Sequence, residues 1–195
     1  MLPSSLEILA FHDACLSESG WPHSPPRHAQ GVWAWVEANH RNNSLLWAEE
    51  DLARRRDVAD SEIAKNKRAI DGFNQARNDA MERIDEEVLV GLAVRSSAEA
   101  RQHSETAGMM TDRLSIMALK IRAMREQTER ADATPEHRAS CQGKLERLLE
   151  QRDDLAACLD GLLADCRDGR AYFKIYRQFK MYNDPALNPC LYGKV

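Results

Sequence analysis

Apolar residues recur at helical spacing over the long segment 61–93, and this periodicity constrains the fold more than any other feature of the chain. On a helical wheel drawn at 100° per residue, the large apolar side chains gather on one face. The segment contains no proline that would interrupt the helix. A helix with such a face must bury it against other elements. The face consists of Ile63, Ile70, Phe73, Ala80, Met81, Ile84 and Val88.

Glycine and proline are scarce, and their positions divide the chain into further helices. The sequence holds nine glycines and seven prolines. Thr134 followed by Pro135 is typical of a helix start, and we find no alternating apolar pattern typical of strands. We therefore predict an all-α fold, a four- to five-helix bundle with a long central helix and an extended aromatic and basic C-terminal tail. The predicted helices cover about residues 4–17, 29–55, 61–93, 106–130 and 134–168.

The length of 195 residues suits one domain. Within it we expect an N-terminal helix and loop (1–28), a helical core (29–168) and a tail (169–195). Lys and Arg number 27 against 31 Asp and Glu, and this net charge of −4 argues against a general nucleic-acid binder. No apolar run approaches the roughly 18 residues of a membrane span, and the N-terminus lacks the basic start of a signal peptide. We therefore predict a cytoplasmic protein.

A polar stripe runs beside the apolar face of the segment 61–93. Its members are three or four residues apart, so successive side chains are neighbours on the helix surface. Arg77 departs from the stripe because it points into the apolar face. A guanidinium placed there needs a carboxylate partner, for which Glu50 and Asp112 are candidates. The stripe consists of Lys67, Asp71, Asn74, Asn78, Glu82 and Asp85.

Polar residues also lie on the inward faces of the second and fourth helices, and two interpretations remain open. In the first, they form a buried network that fixes helix register and does no chemistry. In the second, they form a ligand site between the second, third and fourth helices, where bundles commonly hold ligands. These residues are His40, Asn43, Trp47, Glu50 and Arg54 on the second helix, and Arg113 and Lys120 on the fourth.

The residue types of the ligand-site interpretation suit two kinds of ligand. Oxygen donors on the third helix suit Mg²⁺ or Mn²⁺ as a cofactor. Basic groups suit a phosphate or a carboxylate. The candidate metal ligands are Asp71, Asn78, Glu82 and Asp85, and the candidate anion ligands are Arg77, Arg113 and Lys120.

The tail 170–180 reads RAYFKIYRQFK, with four basic residues and no acidic one. Its aromatic residues alternate with the basic ones, which suits an anionic ligand or a stacked base. Alternatively, the aromatic side chains dock the tail onto the bundle while the basic tips stay in water. These aromatic residues are Tyr172, Phe173, Tyr176 and Phe179.

Three motifs together resemble the bacterial family catalogued as domain of unknown function 4254. They are W-x-x-ED-x-AR, KR-x-ID-x-x-NQ-x-RND-x-x-E-x-ID and DRLSI-x-x-LK. The resemblance implies no established activity and only a loose link to surface-polysaccharide synthesis. The family pattern often has His where this chain has Ala48, which weakens any mechanism that relies on that imidazole. The motifs fall on Trp47, Glu50, Asp51, Arg54, Lys67, Arg68, Asp71, Asn74, Gln75, Arg77, Asn78, Asp79, Glu82, Asp85, Asp112, Arg113 and Lys120.

We predict that the chain binds a small anionic ligand, phosphorylated or like a nucleotide sugar, and the sequence leaves catalysis open. The alternative is a non-catalytic helical module that docks a partner enzyme such as a glycosyltransferase, which the resemblance would place in surface-polysaccharide synthesis. The predicted ligand-binding residues are His40, Trp47, Glu50, Arg54, Lys67, Asp71, Asn74, Arg77, Asn78, Asp112, Arg113 and Lys120.

Overall fold

Helices make up most of the protein in a computed structural model, which describes residues 2–92, 99–178, 181 and 184–192. The predicted all-α bundle is confirmed, and each of the five predicted helices is found close to its expected bounds. Two strands of two residues each, β1 and β2, pair in parallel. The elements are α1 (Ser5–Ser17), α2 (Gly31–Leu52), α3 (Asp60–Leu92), β1 (Arg101–Gln102), α4 (Ala107–Glu129), α5 (Pro135–Arg167), β2 (Ala171–Tyr172) and α6 (Pro189–Tyr192).

Side-chain caps explain where three of the helices begin. Ser4 and Glu7 form a reciprocal capping box at the start of α1. The hydroxyl of Thr106 accepts a hydrogen bond from an N–H in the first turn of α4 at 3.2 Å. Thr134 does the same for α5 at 3.2 Å, with Pro135 at the first helical position as predicted. Each cap satisfies an N–H group that has no partner inside its helix.

The core lies where α2 packs on α3 and α4 packs on α5, with α1 covering α4 and α5. The predicted apolar face of α3 supplies Ile84 and Val88 to this core, whereas Ile63 and Phe73 on the same face are only partly buried. Among the residues described, no helix is long and apolar enough to cross a membrane.

A close contact between α3 and α4 fixes the start of α4. A Cβ atom at Gly108 would clash with the backbone oxygen of Met81, so only glycine fits. The N–H of Gly108 donates to Oδ1 of Asp85 at 2.6 Å. Burial raises the pKa of Asp85 to about 6, against the opposing effect of hydrogen bonds from Thr106 and Gly108. This contact brings the first turns of α4 against the middle of α3.

The tail docks on the bundle through its first residues. Phe173 is 3% exposed within the core, and Arg177 forms ion pairs with Glu82, at 2.6 Å, and with Glu86. The predicted docking is confirmed for Phe173 but is wrong for Tyr176, which is 70% exposed. Phe179 lies outside the described residues.

Candidate functional site

Five buried polar side chains of α2 and α4 form one hydrogen-bonded network. The amides of Asn39 and Asn43 both donate to Oδ1 of Asp112 at 2.9 Å. Asn43 also donates to Oγ of Ser115 at 3.0 Å, and Nδ1 of His40 lies 2.8 Å from that oxygen. All five residues are at most 4% exposed. Because buried polar groups require partners, this network fixes the packing of α2 on α4.

Arg77 of α3 joins the network at its solvent side. Its Nε lies 3.4 Å from Oδ1 of Asp112, and 24% of its side chain is exposed. Of the two candidate partners, Asp112 is therefore confirmed, whereas Glu50 pairs with Arg54. The expectation that Arg77 lies within the apolar core needs correction, because its side chain reaches the core edge and solvent. Two amides hold Asp112 in place, and its carboxylate lies within ion-pair distance of Nε of Arg77, which makes no hydrogen bond.

A cavity of about 270 Å³ opens beside Arg77, between α2, α3 and α4. We call it the Trp47 cavity. Its apolar lining comes from Leu46, Ile116 and Leu119 as well as the indole, and its polar lining includes both acidic and basic groups. A small ligand can therefore meet an aromatic face, a guanidinium and a carboxylate at once. The polar residues that line it are Asn43, Glu50, Asp51, Arg54 and Arg77.

The charges at the mouth of the Trp47 cavity balance each other. Arg54 lies 3.2 Å from the carboxylate of Glu50 and 3.8 Å from that of Asp51. The side chain of Arg54 is 67% exposed, so this ion-pair cluster is solvated and readily rearranged. Two carboxylates and two guanidinium groups thus line the cavity. This balance suits a ligand that carries hydroxyl groups as well as an anionic group, since the hydroxyl groups can donate to the carboxylates.

His40 does not face the Trp47 cavity but lies in a buried stack of rings. Its ring lies 4.3 Å from that of His12 and 5.3 Å from that of Trp21, centroid to centroid. Burial lowers the pKa of His40 to about 3 and holds the pKa of His12 well below its usual range. Both imidazoles are therefore neutral at pH 7. A base this weak serves packing and the hydrogen bond to Ser115 rather than proton transfer.

The candidate metal ligands on α3 do not surround one point. Asp71 and Asp85 are 14 residues apart, which corresponds to about 21 Å along a helix. Asp71 pairs with Lys67, and Glu82 pairs with Arg177 of the tail. Asp85 accepts a hydrogen bond from the N–H of Gly108 at the start of α4. Within the ranges described, no group of three or more His, Cys, Asp or Glu side chains is arranged to hold a metal ion. The structure places Asp71 and Glu82 in separate ion pairs and Asp85 against the start of α4, and the Mg²⁺ or Mn²⁺ site formed by Asp71, Asn78, Glu82 and Asp85 stays a prediction.

Several predicted ligand residues of α3 and α4 also lie away from the Trp47 cavity. Lys67 and Asp71 pair on the helix surface, and neither Asn74 nor Asn78 lines the cavity. Arg113 and Lys120 face a different groove of about 660 Å³ between α4 and α5. There Arg113 pairs with Glu105 at 2.5 Å. The predicted ligand residues are therefore separated by α4. Of these residues, Trp47, Glu50, Arg54 and Arg77 line the Trp47 cavity, whereas Arg113 and Lys120 do not.

Sequence reasoning missed three residues of the site. Asn39 and Ser115 belong to the buried network, and Asp51 lines the Trp47 cavity. A signal for Ser115 was present, because it lies in the motif DRLSI three residues after Asp112. Asn39 lies four residues before Asn43, the spacing of neighbours on a helix.

Comparison with known proteins supports the family resemblance. A family model described as protein of unknown function (DUF4254) matches residues 33–175. Neither curated proteins nor solved structures give a match. The matched range includes the residues of α2, α3 and α4 that form the network and the Trp47 cavity. Since that range covers well over half of the sequence, the chain belongs to the DUF4254 family.

Proposed function

We propose that the protein binds a small phosphorylated ligand with hydroxyl groups, such as a sugar phosphate, in the Trp47 cavity. The observation that carries this proposal is the placement of Arg77. Its guanidinium forms an ion pair with Asp112 and lines the cavity together with the indole of Trp47. A guanidinium is well suited to phosphate, and one held in place loses less entropy on binding.

The rest of the lining supports a sugar more than an inorganic anion. The face of Trp47 offers an apolar surface to the flat side of a sugar ring. Glu50 and Asp51 accept hydrogen bonds from hydroxyl groups and would repel a bare polyanion. The volume of about 270 Å³ accommodates a ligand of roughly monosaccharide size.

Glucose 1-phosphate is the probe for this proposal, and calorimetry with a thermal-shift assay is the measurement. Binding to the folded state is expected to raise the melting temperature with increasing ligand concentration. Arg77→Ala is expected to weaken binding at least tenfold, because it removes the guanidinium that donates hydrogen bonds to the phosphate.

Arg113→Ala is the matched control, since it also removes an arginine but lies in the groove across α4. It is expected to leave the affinity for glucose 1-phosphate within about twofold of wild type. If Arg113→Ala weakens binding as much as Arg77→Ala, the ligand does not bind in the Trp47 cavity. The alternative of a module that docks a partner enzyme stays a prediction.

A further inference from the structure

A second cavity, of about 230 Å³, is also lined by Trp47. Trp47 and Leu119 line both cavities, so the two are neighbours along the groove between α2 and α4. We call the second one the Trp21 cavity, because Trp21, Pro22 and Ser44 form another of its walls. It was not predicted from the sequence.

The walls of the Trp21 cavity are held in place before any ligand binds. Nε1 of Trp21 donates to Oγ of Ser44 at 2.9 Å. The guanidinium carbon of Arg41 lies 4.5 Å from the centroid of the Trp21 ring, and the His40 ring lies 5.3 Å away. Walls that are already ordered reduce the entropy cost of binding a ring between them.

The chemistry of this second cavity differs from that of the first. Its two charged residues, Arg122 and Glu126, pair with each other at 3.1 Å on the helix surface. The other lining residues are aromatic, aliphatic or small. In the described part of the chain, neither another ring nor a cation stacks on the indole of Trp47. The lining therefore favours a flat ring over a second phosphate.

We infer that the ligand carries a phosphate and two ring units, one ring in each cavity, and that the connection between the rings passes Trp47. This inference rests on the proposed function and deepens it. Arg77 takes the phosphate, the Trp47 cavity takes a sugar, and the Trp21 cavity takes a second flat ring. Both a nucleobase and a second sugar can stack on the aromatic wall of the Trp21 cavity. The experiment therefore includes one probe of each kind.

The test compares three probes by calorimetry: glucose 1-phosphate, UDP-glucose and trehalose 6-phosphate. At least one of the two-ring probes is expected to bind at least tenfold more tightly than glucose 1-phosphate. Preference for UDP-glucose would identify the second ring as a base, and preference for trehalose 6-phosphate would identify it as a sugar.

Ala123→Phe is designed to fill the Trp21 cavity, which Ala123 lines at a partly buried position of α4. It is expected to abolish the tenfold gain in affinity of the two-ring probe over glucose 1-phosphate. The affinity for glucose 1-phosphate itself is expected to stay within about twofold of wild type. Ala157→Phe, on the exposed surface of α5, is the matched control and is expected to leave all three affinities unchanged.

Two outcomes separate this inference from the proposed function. If glucose 1-phosphate binds through Arg77 but neither two-ring probe binds more tightly, the second ring is overturned and the first site stands. If Ala123→Phe folds and keeps the gain, the second ring does not lie in the Trp21 cavity. Failure of glucose 1-phosphate to bind overturns the proposed function itself.

Discussion

Asp112 accepts two amide hydrogen bonds on the same carboxylate oxygen that lies 3.4 Å from Nε of Arg77. One buried oxygen therefore joins α2, α3 and α4. The arrangement explains how a buried polar network and an open cavity can lie side by side between the same helices. The amides and the carboxylate hold the helices together, and the guanidinium that pairs with the carboxylate lines the cavity.

The Arg77–Asp112 contact predicts coupled losses of stability. Arg77→Ala and Asp112→Asn should each lower the free energy of unfolding by about 2 kcal/mol, because each leaves a charged partner unpaired or weakly paired. Since both substitutions remove the same contact, the loss in the double variant should be at least about 1 kcal/mol smaller than the sum of the two single losses. Urea unfolding at pH 7 measures all three variants. Additive losses would show that the pair contributes little.

The close approach of α3 and α4 predicts that Gly108 cannot be replaced. Gly108→Ala places a methyl group against the backbone oxygen of Met81, so α4 must move. We expect a loss of about 3 kcal/mol in the free energy of unfolding. Gly143→Ala is the control, because nothing lies within 4 Å of its added Cβ in α5. It should gain up to about 1 kcal/mol from helix propensity.

The stacked imidazoles predict instability in acid. Because the pKa values of His12 and His40 are lowered on folding, the unfolded chain binds more protons than the folded protein below pH 6.5. Their contribution to stability is therefore fully present above pH 6.5 and is lost as the pH falls below it, in the case of His40 toward about 3. The loss is up to about 1.4 kcal/mol per pH unit for each imidazole.

His12→Phe tests this prediction, since it keeps a ring in the stack and removes one titrating group. Its free energy of unfolding should fall less between pH 7.5 and pH 5 than that of wild type. His23→Gln replaces an exposed histidine and should keep the wild-type slope. Equal slopes for wild type and His12→Phe would contradict the prediction.

Asp85 has the opposite pH dependence. Its pKa rises from 3.8 to about 6 on folding, so its stabilising contribution is full below pH 3.8 and is lost as the pH rises through 6. Asp85→Asn keeps an acceptor for Gly108 and does not titrate. Relative to wild type, its free energy of unfolding should increase between pH 4 and pH 7 by up to about 3 kcal/mol. If the difference in free energy of unfolding between Asp85→Asn and wild type does not change with pH, burial does not shift the pKa of this carboxyl.

The docked tail predicts unequal effects for its aromatic residues. Phe173→Ala should cost about 3 kcal/mol in the free energy of unfolding, because its ring lies in the core. Tyr176→Ala should change stability by less than about 0.5 kcal/mol, because its side chain is exposed. Thermal and urea unfolding measure both. Similar costs would indicate that the tail packs in another way.

Local signals predicted the helices well. Periodicity placed α2 at 29–55, and the structure has Gly31–Leu52. The capping signal of Thr134 and Pro135 placed α5 at 134–168, and the structure has Pro135–Arg167. Both signals depend only on residues that are close in the sequence, so they can be recognised before the tertiary structure is known. The pairing of β1 with β2 was not predicted, because two residues are too short to show an alternating pattern.

The candidate site was predicted only in part, because a helical wheel shows which residues share a face but not what that face meets. Arg113 and Lys120 point toward the α5 side of α4, away from the Trp47 cavity. Glu82 meets Arg177, which is 95 residues away in the chain. Only Arg77 was assigned its partner correctly, since its place beside the apolar face required a carboxylate from another helix.

The pairing of β1 with β2 also determines where the chain can be interrupted. Arg101 partners Ala171, 70 positions later, so the chain just before α4 lies beside the chain just after α5. The turn between α4 and α5, residues 130–134, lies almost entirely at the surface. A break there would leave α4 attached through β1 and α5 attached through β2, and the two pieces would still meet in the core. We expect this turn to accept new termini in a circular permutant or an inserted domain.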